Sequence, residues 1–136
     1  MLVIDASVVL ALLTGHPASQ KIAHTLRADP DVVAPAHLDV EVCSALRGRM
    51  LGGHLTMDEL RTAVHSLAAL PVRRVPLDDV ALLHEALPWF HNLSAYDALY
   101  LAPATLTGAV LVTGDAGLAA VAGRAKVAHR HLDCSA

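Results

Sequence analysis

Short apolar segments alternate along this chain with longer segments of helical periodicity, and this alternation limits the fold more than any other feature. The candidate strands cover residues 2–4, 32–34, 72–75 and 109–112, with a weaker one at 125–127. Short apolar runs of this kind are typical of strands buried on both faces of a parallel sheet. The sequence therefore predicts an α/β fold, with a short parallel β-sheet of four to five strands flanked by helices on both faces.

The predicted helices begin and end at recognisable signals. Ser7 is predicted to cap the first helix, and Thr56 opens the fourth through a capping box with Glu59. Pro88 is expected to end the fifth helix early. The predicted helices cover residues 8–13, 18–27, 36–51, 57–70, 77–90, 95–107 and 116–122.

Length and composition indicate one compact domain, residues 1–136, because there is no repeat or linker and 54% of the residues are hydrophobic. Cys43 and Cys134 are far apart and do not form a disulfide framework, so we expect free thiols in a reducing cytoplasm. The N-terminus lacks a basic signal region, and no uncharged apolar stretch is long enough for a membrane span. We therefore expect a soluble cytoplasmic protein.

The net charge of −3 argues against a protein that coats nucleic acid non-specifically. It does not exclude a nuclease, because carboxylates in an active site lower the total charge and a bound metal restores positive charge locally.

Four acidic residues stand out by their positions. Asp5 follows the first predicted strand and Asp115 follows the fourth, so both are expected at the carboxyl edge of the sheet, where ligands bind. Glu41 lies at the edge of the apolar stripe of its helix, where a carboxylate needs a partner. Asp97 lies in the first turn of an apolar helix that Ser94 is expected to cap. Asp39, beside Glu41, is expected to be an ordinary solvated charge.

Each acid also has a purely structural explanation. Asp5 could cap the first helix, Asp97 could favour its helix N-terminus, Asp115 could be a turn residue, and Glu41 could face water. If the four carboxylates converge, however, they repel one another and become tolerable only with protons or cations. A set made of oxygen ligands alone favours a hard ion, Mg²⁺ or Mn²⁺.

The same positions carry a resemblance to a known family. The segment Val3-Ile4-Asp5-Ala6-Ser7-Val8 resembles the first motif of the PIN-domain family, and specifically of the VapC-type toxins of bacterial toxin–antitoxin systems. Glu41 resembles the second acidic position, residues 95–102 around Asp97 resemble the third motif, and Leu111-Val112-Thr113-Gly114-Asp115 resembles the fourth. The resemblance covers nearly the whole chain.

The resemblance implies a PIN-like fold and an Mg²⁺- or Mn²⁺-dependent endoribonuclease that cleaves structured RNA such as tRNA. It implies Asp5, Glu41, Asp97 and Asp115 as metal ligands and catalytic acids, with Ser7 and Thr113 as supporting hydroxyls. It also implies a cognate VapB-type antitoxin and a homodimer. Pro103 departs from the family pattern, because a proline inside the helix of Asp97 is expected to kink it.

Several features leave alternatives open. Arg47 and Arg49 either contact RNA phosphates or are solvated charges, and His37 either packs or reaches the site through Glu41. Apolar surface at residues 10–13 and 82–83 either packs in the core or contacts a second copy or an antitoxin. The His residues near the C-terminus fit no standard zinc pattern.

Two other functions compete with RNA cleavage. A catalytically silent PIN-like interaction module would not need all four acids. Aspartyl-phosphate chemistry of the haloacid-dehalogenase kind would require an acid two residues after Asp5, where Ser7 stands.

Overall fold

The computed structural model describes residues 1–135 and contains a five-stranded parallel sheet in that range. The spatial order of the strands is β3-β2-β1-β4-β5, so β1 lies at the centre. The strands are β1 (Leu2–Ile4), β2 (Val32–Pro35), β3 (Arg73–Val75), β4 (Val110–Thr113) and β5 (His129–His131). The predicted α/β fold with a parallel sheet of four to five strands is confirmed.

Seven α-helices and one 3-10 helix connect these strands within residues 1–135. The helices are α1 (Ala6–Leu13), α2 (Ser19–Arg27), α3 (Leu38–Leu51), α4 (Met57–Ala69), α5 (Val80–Ala86), α6 (Ala95–Thr107) and α7 (Ala116–Arg124), and the 3-10 helix is Leu87–His91. All residues of β1 and β2 are buried. Because successive side chains of a strand point to opposite faces, both faces of the sheet centre are covered.

Three predicted boundaries are wrong. The N-cap of α1 is Asp5 and not Ser7, since the Asp5 carboxylate accepts a hydrogen bond from the Val8 backbone. The fifth helix begins at Val80 and not at residue 77, because Asp79 caps it there; its early end near Pro88 is confirmed, since only a 3-10 helix follows Ala86. The last strand is β5, further along the chain than residues 125–127, and all its side chains are exposed.

Pro103 lies inside α6, and the helix continues past it to Thr107. Its neighbours Ala102 and Ala104 are buried.

The capping box of Thr56 and Glu59 is formed in both directions, as predicted. At α6, Ser94 accepts from the backbone N–H of Asp97, as expected of a cap.

Asp39 is not the isolated solvated charge that the sequence suggested. Its carboxylate binds the Arg74 guanidinium, with Nη2 2.9 Å and Nε 3.2 Å from its two oxygens. Arg74 also donates to the backbone carbonyls of Leu67, Leu70 and Val72. The pair therefore ties α3 to the end of α4 and to β3.

Apolar side chains are exposed along one line of α5 and the following 3-10 helix. Leu10, Leu12 and Leu13, by contrast, are half-buried against the core. The exposed apolar stripe consists of Val80, Leu83, Leu87 and Phe90. Both cysteines are free, and no helix in residues 1–135 is both long and apolar enough to cross a bilayer.

Candidate active site

The acidic residues lie where the central strands of the sheet end. β1 pairs with β4, and the last pair in register is Ile4 with Val112. Asp5 follows β1 directly, and Asp115 follows β4 after one residue, Gly114. The turns after the two strands therefore lie side by side at the carboxyl edge of the sheet, as the predicted convergence of Asp5 and Asp115 requires.

Asp5 is buried, with only 3% of its surface exposed. Ser7 Oγ donates to Asp5 Oδ1 at 2.6 Å, the Val8 backbone N–H donates to the same oxygen at 3.2 Å, and the Thr113 hydroxyl donates to Oδ2. Burial raises the pKa of Asp5 to about 6, although these hydrogen bonds act in the opposite direction. Asp5 therefore caps α1 and also presents a buried carboxylate to the sheet edge.

The hydroxyls of Ser7 and Thr113 connect the two turns. Ser7 Oγ donates to Asp5 and accepts from the Gly114 N–H at 2.8 Å. Thr113 Oγ1 donates to Asp5 and accepts from the Asp115 N–H at 2.9 Å. Each hydroxyl thus donates a hydrogen bond to the Asp5 carboxylate and accepts one from a backbone N–H of the turn after β4. Both residues therefore hold Asp5 in place.

Position 114 must be glycine because there is no room for a side chain there. A Cβ at this position would lie 2.5 Å from Cys134 Sγ and 3.1 Å from Ser7 Oγ. Because real Cβ atoms do not approach other heavy atoms this closely, the tail at Cys134 could not pack against the turn if residue 114 carried a side chain.

Asp97 connects the acids electrostatically. Burial raises the pKa of Asp97, and the carboxylates of Asp115 and Glu41 raise it further. Asp97 in turn contributes to the raised pKa of Asp5. The charge of this half-buried carboxylate is therefore coupled to those of the other three acids.

Glu41 is held by a residue that the sequence did not single out. The Tyr100 hydroxyl donates to Glu41 Oε2 at 2.8 Å, and the Tyr100 side chain is fully buried. Burial raises the pKa of Tyr100, as do the hydrogen bond to Glu41 and its charge, so this hydroxyl stays a donor. A signal existed in the sequence, because a tyrosine in a buried helix usually has a partner for its hydroxyl.

His37 packs beside the same pair. Its ring lies 4.6 Å from the Tyr100 ring, and its Nε2 lies 3.1 Å from the Tyr96 carbonyl and 3.7 Å from Glu41 Oε2. Burial lowers the pKa of His37, so we assign it a neutral ring that donates from Nε2. Both alternatives left open by the sequence apply, since His37 packs and also approaches Glu41.

Asp115 differs from the other acids because it is exposed. It caps α7, with Oδ1 accepting from the Leu118 N–H at 2.8 Å. Within residues 1–135, no group of three or more His, Cys, Asp or Glu side chains is arranged so that it could hold a metal ion. What fits a hard divalent ion is the chemistry of the site: oxygen ligands, a common sheet edge and mutual repulsion that a cation would relieve.

A pocket of about 540 Å³ opens beside Asp115. Ser7 and Gly114 form part of its wall, and Arg49 reaches it from the end of α3. Arg47 is exposed on the same helix but does not line the pocket. The structure therefore distinguishes two arginines that the sequence could only group together.

Comparison with known proteins identifies the family. A PIN-domain model matches residues 2–124. Ribonuclease VapC1 of Mycobacterium tuberculosis is 36% identical over 121 residues, which cover 89% of this chain and 90% of that protein. Ribonuclease VapC12 of the same organism is 36% identical over 119 residues, covering 88% of this chain and 90% of that protein.

Solved structures share the fold at low sequence identity. Mycobacterium tuberculosis VapC20, described as a Sarcin-Ricin loop cleaving toxin, superposes with a TM-score of 0.68 at 19% identity and covers 89% of this chain and 95% of its own. FitAcB from Neisseria gonorrhoeae superposes with a TM-score of 0.67 at 17% identity and covers 95% of this chain and 96% of its own. From the matched family model and the VapC relatives, the chain belongs to the PIN-domain family and to its VapC-type group.

Proposed function

We propose that the protein is an endoribonuclease toxin that depends on Mg²⁺ or Mn²⁺. The observation that carries this proposal is the link through Thr113 at the sheet edge: its hydroxyl donates to the buried Asp5 carboxylate and accepts from the backbone N–H of Asp115. The raised pKa of Asp97, to which burial and the charges of Asp115 and Glu41 contribute, supports it. Repulsion among four neighbouring carboxylates destabilises the folded state. Acids with purely structural roles would not need to lie within range of one another's charge.

Asp5, Glu41, Asp97 and Asp115 are the residues that would hold the ion. When bound, a divalent ion supplies positive charge for a phosphodiester and eases the ionisation of water. The protein's own contribution is positional: Ser7 and Thr113 hold Asp5, and Tyr100 holds Glu41. Asp97 is the acid best suited to accept a proton, because its pKa is raised and its carboxylate is only half-buried.

The substrate that we propose is structured RNA, with tRNA as the first candidate. The relatives named ribonuclease support RNA as the substrate class, and their similarity extends over most of this chain. The description of VapC20 as a toxin that cleaves the Sarcin-Ricin loop supports a folded RNA target. With aromatic residues at only 3% of the chain, recognition rests on shape and phosphate contacts more than on base stacking.

We further propose that a VapB-type antitoxin neutralises the protein in the cytoplasm and that the toxin is a homodimer. The VapC relationship supports an antitoxin partner. The exposed apolar stripe on α5 and the 3-10 helix supports a protein interface, because side chains of this kind are commonly covered when they are contiguous.

The test is cleavage of purified tRNA and ribosomal RNA by the wild type and by Asp97→Asn, with Mg²⁺, with Mn²⁺ and with a chelator. We expect cleavage only by the wild type and only with metal. Cleavage at an equal rate in the chelator, or by Asp97→Asn, would contradict the proposal. Growth arrest by both proteins without any RNA cleavage would favour a silent interaction module instead.

A further inference from the structure

The pocket beside Asp115 has the size and lining of a ligand site. Its volume of about 540 Å³ falls within the range of small-molecule pockets. Ser7, Gly114 and Asp115 form one wall, and these residues belong to the two turns that carry the acids. A group bound in the pocket would therefore lie directly beside the candidate catalytic edge.

Part of the pocket lining is apolar and suits a flat ring. Leu10, Ala11 and Ala116 contribute to the lining. These small and aliphatic side chains present a surface on which a planar base can lie without losing hydrogen bonds. Leu10 is half-buried and Ala11 is buried, so this surface is part of the folded core of α1.

The rim of the pocket is formed by the C-terminal tail, which hydrogen bonds hold in place. His16 Nε2 donates to the Ser135 carbonyl at 2.9 Å, while His16 Nδ1 accepts from the Ala18 N–H at 3.0 Å. Asp133 Oδ1 accepts from the backbone N–H of Ser135 at 2.9 Å and from its hydroxyl at 2.6 Å. Both ring nitrogens of His16 are occupied in its neutral form, so this side chain has no proton left for a ligand.

Arg49 supplies the positive charge. It is the only Lys or Arg among the lining residues that the structure describes, and it is exposed. No ion pair joins it to an acid within residues 1–135. Two carboxylates, Asp115 and Asp133, also line the pocket, and Asp115 is one of the acids that would hold the ion. A guanidinium matches the geometry of a phosphate, so Arg49 together with the apolar part of the lining fits a ligand with one planar part and one anionic part.

We propose that this pocket is a nucleotide-binding subsite. It holds one nucleotide of the RNA strand next to the scissile phosphodiester, with the base on the apolar wall and Arg49 on the phosphate. This inference rests on the proposed function, since it makes the bound nucleotide part of the substrate. It assigns the phosphate contact to Arg49 and excludes Arg47, which does not line the pocket.

The first test measures binding without catalysis. The four nucleoside 5′-monophosphates, which contain no phosphodiester to cleave, are titrated into the full-length protein with Mg²⁺, and amide shifts are followed by NMR. We expect at least one nucleotide to change the amide chemical shifts of Gly114, Ala116 and Cys134. Arg49→Ala should weaken binding at least about tenfold, the effect of losing one charge-assisted hydrogen bond, whereas Arg47→Ala should leave it unchanged. Ser135→Trp, which places a large ring at the rim, should also block binding.

The outcomes separate this inference from the proposed function. The subsite proposal is wrong if no nucleotide shifts these amide resonances, or if Arg47→Ala weakens binding as much as Arg49→Ala. This holds even when RNA is cleaved, and the pocket would then be available to a protein partner. If nucleotides bind but no RNA is cleaved with metal, the subsite stands and the nuclease proposal fails. In a cleaving enzyme, Arg49→Ala should raise KM more than it lowers kcat.

Discussion

At the scale of single residues, the site depends on carboxylates held by neutral hydroxyls. Asp5 is bound by Ser7 and Thr113, and Glu41 is bound by Tyr100. A hydroxyl orients a carboxylate without cancelling its charge, whereas an arginine or lysine would neutralise it. Such an arrangement leaves the negative charge of the acids available for a cation.

The burial of Asp5 makes stability depend on pH. Because the pKa is raised from 3.8 to about 6, the protonated form is favoured in the folded state, and stability is lost as pH rises through this range. Asn at this position does not titrate. Without metal, we expect Asp5→Asn to gain up to roughly 3 kcal/mol relative to the wild type between pH 4 and pH 7. Urea unfolding in EDTA measures this difference, and a constant offset across pH would contradict it.

The Tyr100 hydroxyl gives a second prediction at this scale. Tyr100→Phe keeps the buried ring but leaves Glu41 without its 2.8 Å donor. We expect metal affinity to fall about 10- to 100-fold, as for other residues that orient a metal ligand. Isothermal titration with Mn²⁺ measures it.

Tyr96→Phe is the matched control for that variant, because the Tyr96 side chain is 61% exposed and lies one turn away on the same helix. Equal affinity in Tyr100→Phe and the wild type would show that the hydroxyl does not position Glu41.

The sequence located the acids better than their partners. Asp5 and Asp115 could be predicted because each lies just after the end of an apolar strand. The contact between Tyr100 and Glu41 could not, since the two residues are separated by 59 positions and meet only in the folded chain. Pairings of this kind depend on tertiary packing, which local patterns do not encode.

At the scale of elements, helices with strong caps were predicted well, and so was the edge strand β3, whereas the other edge strand, β5, was not. α4 has its complete capping box, and β1 and β4 have apolar sequences that match their buried positions. β5 consists of His129, Arg130 and His131, all exposed, and therefore carries no apolar signal. Its position is set by pairing with β4, and an edge strand of this kind resembles a loop in sequence.

The capping box of α4 offers a test of stability apart from function. Thr56→Ala removes the acceptor for the Glu59 N–H and should lower the free energy of unfolding by about 1 kcal/mol. Thermal or urea unfolding measures this loss. Because Thr56 lies outside the acidic site, RNA cleavage at a temperature well below unfolding should be unchanged. A large loss of activity in this variant would mean that activity follows overall stability and not the acids.

At the scale of the whole molecule, the order β3-β2-β1-β4-β5 brings distant segments to one edge. The alternation of strands and helices predicted the parallel sheet, but it did not predict the order of the strands. The register was not predictable, because short apolar strands of similar composition can pair in several ways.

The exposed apolar stripe leads to a prediction about assembly. Leu83 is 43% exposed and Phe90 is 46% exposed, so a charge at either position should be tolerated by the monomer. If the stripe forms the homodimer interface, Leu83→Asp with Phe90→Asp should convert the dimer to monomer in analytical ultracentrifugation. Val64→Asp, on α4 with 40% exposure, should leave the dimer intact. A dimer that persists in the double variant would place the interface elsewhere.

The hydroxyl links between the two turns also bear on how such a toxin is made. Asp5 leaves the ribosome before its partner Thr113, which lies 108 positions later. A nascent chain therefore cannot assemble the acidic edge until synthesis has passed the last acid. The nascent chain therefore lacks a complete acidic site for most of the time it spends on the ribosome, which is itself rich in RNA.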